Sequence, residues 1–504
     1  MAPIAVAPMD GHNRRLVSQV HPPEWSNPVA RGRYHLVALG GGTAGLVAAA
    51  GAAGLGGTTA LVEQHLMGGD CLNVGCVPSK ALIAAARSWE AARRAAVDFG
   101  GPAVSGEGDF GAVMDRLRRL RADLSPIDGA ERFSRLGVDV FLGRGAFTGP
   151  DTVEVAGATL RFRRAVIATG ARAVAPPIPG LAESGYLTNE SVFSLTELPR
   201  RLVVIGGGPI GCELAQAFAQ LGSRVTLVDQ ADRVLGRDDP DAADIVRRSM
   251  VESGVQFVFG VTVEGVAVRD EGRILTLSRD RVSFELMADQ ILVAAGRAPN
   301  IDGIGLERAG VAFDHRGVSV DDRLRTSNPK IYAAGDVCSS LQFTHHADFQ
   351  ARAVLANALF FGRQKESRLV VPWCTYTTPE LAQVGLSADA AIGRGHSVDV
   401  ITVPFAEVDR AVLDGEPEGF LRVVVAKGTD RILGVTVVAS HAGEMIGEAA
   451  VAMTNQLGLG AIGKAIHPYP TQAESFRKAA DQWRRGKLTP LTRRLLATWF
   501  RVFS

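Results

Sequence analysis

The sequence predicts an α/β protein with two dinucleotide-binding units, on three observations. The chain has 504 residues, room for roughly three domains at ~150 residues each. Its 57 glycines gather in short clusters, not in low-complexity runs. One glycine-rich segment also occurs twice. Residues 40–63 read GGGTAGLVAAAGAAGLGGTTALVE and residues 206–229 read GGGPIGCELAQAFAQLGSRVTLVD. Aligned without gaps, these 24-residue segments agree at ten positions, and both end in an acid.

Each copy follows a short β-type run, Tyr34–Leu39 or Arg201–Ile205, and continues into an Ala-rich helical stretch and a second strand. That is the context a G-x-G-x-x-G needs before it counts as a Rossmann-like fingerprint. Gly40 and Gly206 allow the strand-to-helix turn. Gly42 and Gly208 admit a pyrophosphate against the backbone. Gly45 and Gly211 let helix and strand pack closely. The helix N-terminus offers amide donors to phosphate. Glu63 and Asp229 end the second strands, where a carboxylate accepts from ribose hydroxyls. Two dinucleotides are therefore expected. In the second site Asp229 repels a 2′-phosphate, so NADH is favoured over NADPH, although Arg224 and Arg233 flank that strand.

Composition narrows the alternatives. Lys+Arg 54 against Asp+Glu 53 gives a net charge of +1, unlike the basic excess of nucleic-acid binders. Five cysteines (Cys71, Cys76, Cys212, Cys338, Cys374) are too few, and odd in number, for a secreted disulfide scaffold. The first forty residues are polar and broken by proline, without the apolar core of a secretory signal. No transmembrane segment is read, and the expected location is cytoplasmic.

The chemistry lies between the two fingerprints. Residues 68–80 read GGDCLNVGCVPSK, with four residues between Cys71 and Cys76. No second ligand cluster accompanies them, so a redox dithiol is a better reading than a metal site. A cysteine at a helix start has a lowered pKa, and Lys80 would lie one turn on, adding positive potential. Cys212 reads as a small buried residue. His345-His346 reads as a helix-start pair without metal.

This stretch resembles the active-site segment of the flavin-dependent pyridine nucleotide–disulfide oxidoreductases, which include dihydrolipoamide dehydrogenase, glutathione reductase and mercuric reductase. The resemblance runs over roughly residues 34–480. Ala165-Val-Ile-Ala-Thr169-Gly170 resembles the strand closing the first flavin half. Val293–Asn300, with Gly296, resembles the GRxPN signature. Ile331–Asp336 resembles the second flavin strand, and Pro372–Leu386 the start of a dimerisation domain. The resemblance implies two Rossmann-like domains plus a C-terminal α+β dimerisation domain, and a homodimer. FAD would lie at Gly40, Gly42, Gly45, Glu63, Lys80, Thr169, Gly170 and Asp336, and NAD(P)H at Gly206, Gly208, Gly211, Asp229 and Gly296. Cys76 would be the thiolate beside the flavin, Cys71 the thiol meeting the acceptor, and Glu213 the partner of Lys80.

The C-terminal motif departs from many members, which carry H-x-H-P-T-x-x-E with the second His as acid–base, oriented by the Glu, here Glu474. Here the chain reads His467-Pro-Tyr469-Pro-Thr-Gln-Ala-Glu474. Tyr titrates near pH ~10, His near ~6.5, so Tyr469 is a poor base for dithiol–disulfide exchange at neutral pH. Mercuric reductases resemble this chain in having Tyr there, supplied by the partner subunit. Yet the terminal Cys pair and N-terminal C-x-x-C module common in those enzymes are missing here, and a second Tyr expected between the redox helix and the second fingerprint is not evident, since none of the five tyrosines falls in residues 81–160. The expected activity is therefore a mercuric reductase-like reduction of a metal ion or small electrophile, with a dihydrolipoamide dehydrogenase or other disulfide reductase as the alternative.

The expected domains are an irregular arm (1–33), flavin-binding parts (34–190 and 320–370), a nicotinamide domain (191–319), a dimerisation domain (371–483) and a tail (484–504). The tail, with Arg493, Arg494, Leu495, Leu496, Trp499, Phe500 and Phe503, reads as a basic amphipathic helix that packs on its own dimer or touches a membrane surface.

Overall fold

A computed structural model describes residues 6–503. The first unit is a sheet in the order β3-β2-β1-β6-β5-β4. Its strands are β1 (Arg33–Leu39), β2 (Thr59–Glu63), β3 (Val138–Leu142), β4 (Gly145–Gly149), β5 (Thr152–Val155) and β6 (Ala158–Ile167). Strands β1, β2, β3 and β6 run parallel. Leu36–Leu39 and Ala60–Val62 are buried, as expected of strands covered by helices on both faces. A short β7 (Ala171–Ala173) leads out of this unit.

The second unit pairs β8 (Arg201–Ile205), β9 (Arg224–Asp229), β10 (Gln256–Phe259) and β14 (Gln290–Val293) in the parallel order β10-β9-β8-β14. An antiparallel meander of β11 (Thr262–Arg269), β12 (Gly272–Arg279) and β13 (Val282–Ala288) lies beside it. The chain then returns. Strand β15 (Arg297–Pro299) pairs with β7, β16 (Phe313–Asp314) forms a hairpin with β17 (Gly317–Val318), and β18 (Ile331–Ala333) joins β6. The C-terminal sheet orders β19 (Pro372–Thr375), β20 (Glu380–Gly385), β21 (Val398–Pro404), β22 (Phe420–Ala426) and β23 (Ile432–Ala439) as β19-β20-β23-β22-β21, all antiparallel. Phe405 and Phe476 are fully buried in its core.

Two boundaries move. The arm is not irregular. Residues 1–5 lie outside the described residues, but Gly11–Val20 is a helix, N-capped by Asp10, whose carboxylate accepts from the Asn13 amide at 2.8 Å. Leu16 and Val20 are fully buried, and Arg121 donates to Asn13 Oδ1 at 2.6 Å. The apolar i, i+4 spacing that docks this helix is short and easily hidden by the prolines that follow. The segment 296–319, assigned from sequence to the nicotinamide domain, packs instead with the flavin half. Ile304, Leu306, Ala309, Val311 and Val318 share a core with Tyr34, Val37 and Phe147.

The tail contains the helix Pro490–Val502, none of whose residues is buried.

Candidate active site

The two glycine turns are built alike. At the first, Gly40 has φ +110°, and a Cβ on Gly45 would stand 1.8 Å from the Gly40 carbonyl oxygen. At the second, Gly206 has φ +111°, and a Cβ on Gly211 would stand 1.9 Å from the Gly206 carbonyl. The helices that follow, Thr43–Gly54 and Pro209–Gln220, are N-capped by Gly42 and Gly208 with no side chain on their amides. The first-turn donors are therefore left for a phosphate. Gly69 approaches Gly42 so closely that a Cβ on it would lie 2.7 Å from the Gly42 Cα. The approach is therefore possible only because residue 69 is glycine, whereas a Cβ on Gly42 would meet nothing closer than 3.7 Å.

The two acids do comparable work. Glu63 Oε2 accepts from the Gly41 amide at 2.5 Å and Oε1 from the His65 amide at 2.6 Å. Burial pushes the Glu63 carboxyl up, and these amides oppose it. Asp229 accepts from Gly207 at 2.5 Å and from Ala231 at 2.8 Å. Each acid therefore ties its strand end to the glycine turn.

The cysteines sit at a break between two helices, Gly69–Asn73 and Cys76–Asp98. Cys76 is the first residue of the long helix, so its sulfur meets the positive end of the helix dipole. The Cys71 thiol hydrogen-bonds Cys76, and Thr344 Oγ1 lies 3.5 Å from Cys76 Sγ. These contacts and the charge of Lys80 lower Cys76 from 9.0 to about 6, and the same hydrogen bond, with burial, pushes the Cys71 thiol up. At neutral pH one proton is therefore held on Cys71 and Cys76 is the thiolate.

Lys80, one turn along, donates to Glu213 Oε2 at 2.8 Å. The other Glu213 oxygen accepts from the Tyr376 amide at 2.9 Å. Lys80 Nζ lies 4.5 Å from the centroid of the Tyr376 ring, within cation–π range. The expected Lys80–Glu213 pair is present, and Cys212 beside it is fully buried.

Sequence reasoning missed three participants. Thr344 begins the helix Thr344–Leu359 and reaches Cys76. Tyr376 comes from the turn between β19 and β20, far along the chain from residues 81–160, where the resemblance places a second tyrosine. Arg297 bonds Asp70, next to Cys71, and lies 3.4 Å from Asp336. Its Nε is buried without a partner. Asp336 is pushed up by burial, against the pull of Arg297. The run PWCTYTTPE and the Arg of GRAPN were in view as signatures, but neither has a local pattern that places it at the sulfurs.

The remaining candidates lie nearby or apart. Thr169 Oγ1 donates to the Asn300 carbonyl at 2.7 Å, and the Gly170 carbonyl accepts from the Asn300 amide at 2.9 Å. The Gly296 carbonyl accepts from Val174 at 3.2 Å. These residues hold the two crossovers between the units side by side. His345 Nε2 bonds the Pro372 carbonyl at 2.7 Å, and His346 Nδ1 the Leu341 carbonyl at 3.0 Å. Tyr469 donates to Asp409 at 2.8 Å, which raises its pKa. Glu474 was expected to orient residue 469 but instead pairs with Arg477, one helical turn on. The hydrogen bonds of Tyr469 and Glu474 stay within the C-terminal domain.

A thiolate–thiol pair next to one dinucleotide turn, with a second such turn donating Glu213 to the same cluster, defines a dinucleotide-linked dithiol redox protein. Residues 34–351 match the pyridine nucleotide-disulphide oxidoreductase family, and residues 371–480 match the dimerisation domain of that family. The chain is 33% identical to a dihydrolipoyl dehydrogenase of Bacillus subtilis, covering 89% of this chain and 97% of that one. It is 34% identical to a mercuric reductase of Lysinibacillus sphaericus, covering 89% and 82%. Among solved structures it is similar to the HOCl-induced flavoprotein disulfide reductase RclA from Escherichia coli, with a TM-score of 0.79, 29% identity and 89% and 99% of the two chains covered. The chain belongs to the pyridine nucleotide–disulphide oxidoreductase family. It is a flavoprotein oxidoreductase that takes electrons from NAD(P)H. No helix among the described residues is long and apolar enough to cross a membrane.

Proposed function

We propose that this chain carries electrons from NADH, or less readily NADPH, through FAD to Cys71 and Cys76, and passes them to a soft metal ion such as Hg(II) or to another small electrophile. FAD supplies two-electron transfer between nicotinamide and the cysteine pair. The chain's own residues do the rest. Gly40, Gly42, Gly45, Glu63 and Asp336 hold the first dinucleotide, and Gly206, Gly208, Gly211 and Asp229 the second. Lys80, fixed by Glu213, keeps positive potential at Cys76. Cys71 retains the proton until it meets the acceptor. Two sulfurs, one already ionised, suit a soft acceptor.

The observation that carries this reading is Tyr469. It stands where thiol-exchange members have a His base, and its hydroxyl is committed to Asp409 with its pKa raised. In a homodimer, the C-terminal domain of one protomer would bring this phenol to its partner's cysteines as a neutral oxygen ligand rather than a base. A second reading, a dihydrolipoyl dehydrogenase or other disulfide reductase, is favoured by His467. Its Nε2 lies 2.9 Å from Glu448 Oε1, and its Nδ1 is buried without a partner.

The test is NADH and NADPH oxidation by the FAD-loaded enzyme, with Hg(II) in excess thiol or lipoamide as acceptor. The first reading expects mercury-dependent turnover that is lost in Cys71→Ala and Cys76→Ala. Lipoamide turnover without a mercury response, lost in His467→Ala, overturns it in favour of the second. A Tyr469→His change that greatly increases lipoamide turnover would identify the missing base as the barrier.

A further inference from the structure

The helix Pro490–Val502 forms on local signals. Thr489 caps it, its hydroxyl accepting from the Thr492 amide at 3.1 Å, and Pro490 takes the first turn. The preceding helix, Glu474–Gly486, buries Phe476, Ala479 and Ala480 against the C-terminal core. The tail helix buries nothing.

Its two faces differ sharply. At ~100° per residue, Leu491, Leu495, Leu496, Trp499, Phe500 and Val502 fall on one half of the circumference. Arg493, Arg494 and Arg501 fall on the other. The apolar half is open, with Trp499 58% and Phe500 67% exposed. A contiguous exposed apolar face of this kind marks an interaction site.

Charge says what covers it. Residues 482–503 contain six cations (Arg484, Arg485, Lys487, Arg493, Arg494, Arg501) and no Asp or Glu. The whole chain is nearly balanced, 54 against 53, so the remaining residues carry a small net negative charge while this segment is wholly basic. An apolar half-cylinder carrying aromatic rings, with arginines on the opposite half, matches an anionic lipid surface. The rings enter the boundary between headgroup and acyl chain, and the arginines, snorkelling along its edges, meet phosphates. Thirteen residues are too few to span a bilayer. A second copy fits less well, because the dimerisation-domain match ends at residue 480, before this helix begins. We propose that Pro490–Val502 docks the protein on anionic membrane surfaces, lying in the interface plane.

The test is flotation of the full-length, FAD-loaded protein with vesicles of phosphatidylcholine alone or of equimolar phosphatidylcholine and phosphatidylglycerol. Wild type is expected to float with the anionic vesicles and to be released by high salt. Each surface arginine changes partitioning about fivefold, so Arg493→Glu/Arg494→Glu should lower it by at least about 25-fold. Trp499→Ala/Phe500→Ala should abolish it by removing the apolar contact. Unchanged NADH oxidation in these variants shows that they are folded. Wild type that stays unbound with both vesicles overturns the proposal, as does binding that both variants retain. Sedimentation velocity adds a separate outcome: if Trp499→Glu converts a dimer to a monomer, the face belongs to a second copy and the proposal fails.

Discussion

Replacing Cys71 with alanine removes the group that does most to ionise Cys76. The Cys71 hydrogen bond is the largest of the influences bringing Cys76 from 9.0 to about 6, ahead of Thr344 and Lys80. At pH 7 a thiol with a pKa of 6 is ~90% thiolate, and one at 9 is ~1%. Full reversion would therefore cut the reactive fraction on the order of 90-fold. Thr344 and Lys80 remain in the variant, and Cys76 is exposed, so screening by water shrinks every contribution. The expected inflection lies between the two limits, well above that of wild type. The assay is iodoacetamide alkylation of the NADH-reduced holoenzyme across pH, read at the Cys76 peptide by mass spectrometry. Burial pushes Cys212, Cys338 and Cys374 up, so they react later. An alanine variant that alkylates with the wild-type inflection would refute the argument, because Cys76 would then owe its ionisation to Thr344, Lys80 and the helix terminus without Cys71.

Lys80→Met and Glu213→Gln should move that inflection in opposite directions, up and down respectively, because Lys80 lowers Cys76 and Glu213 raises it; shifts of the same sign would show that the pair acts through local unfolding. Gly45→Ala puts a Cβ into the Gly40 carbonyl, and the displaced turn should lower stability by about 1–3 kcal/mol and reduce the flavin-to-protein absorbance ratio; a fully loaded, equally stable variant would contradict the close approach. Asp229→Ser removes the carboxylate that opposes a 2′-phosphate, so kcat/KM for NADPH relative to NADH should rise about tenfold, or ~1.4 kcal/mol; an unchanged ratio would mean that Arg224 and Arg233 set the preference instead.

The parts of this site legible in sequence are those with local grammar. A glycine turn, its strand, its helix and its closing acid lie within 24 residues, and steric necessity ties each type to its place. Cys71, Cys76 and Lys80 lie within ten residues across one short break between helices, so spacing alone brings them together. Glu213 was reached because it follows the second fingerprint directly. Thr344, Tyr376 and Arg297 reach the sulfurs or their neighbours through chain crossings that periodicity does not encode. Glu474 is the opposite case: the i, i+3 neighbour Arg477 pairs with its carboxylate, a local contact that the spacing encodes directly. The helix Gly11–Val20 is hard to read among its flanking prolines because its buried apolar residues, Leu16, Val17 and Val20, span little more than one turn.

Glu213 belongs to the nicotinamide unit, Lys80 to the flavin unit, and the Tyr376 amide to the C-terminal domain, yet all three meet at one carboxylate. The same helix that starts with Cys76 sends Arg87 to Glu380 and to the Tyr376 and Thr377 carbonyls, while Gln216 both donates to and accepts from the Thr378 backbone. The domains of this chain are therefore not interchangeable modules. A chimera that grafts a relative's C-terminal domain onto this flavin unit takes both the residue under Lys80 and the seat of the redox helix from that relative. Acceptor preference and thiol reactivity would then change together, even where no cysteine had been touched.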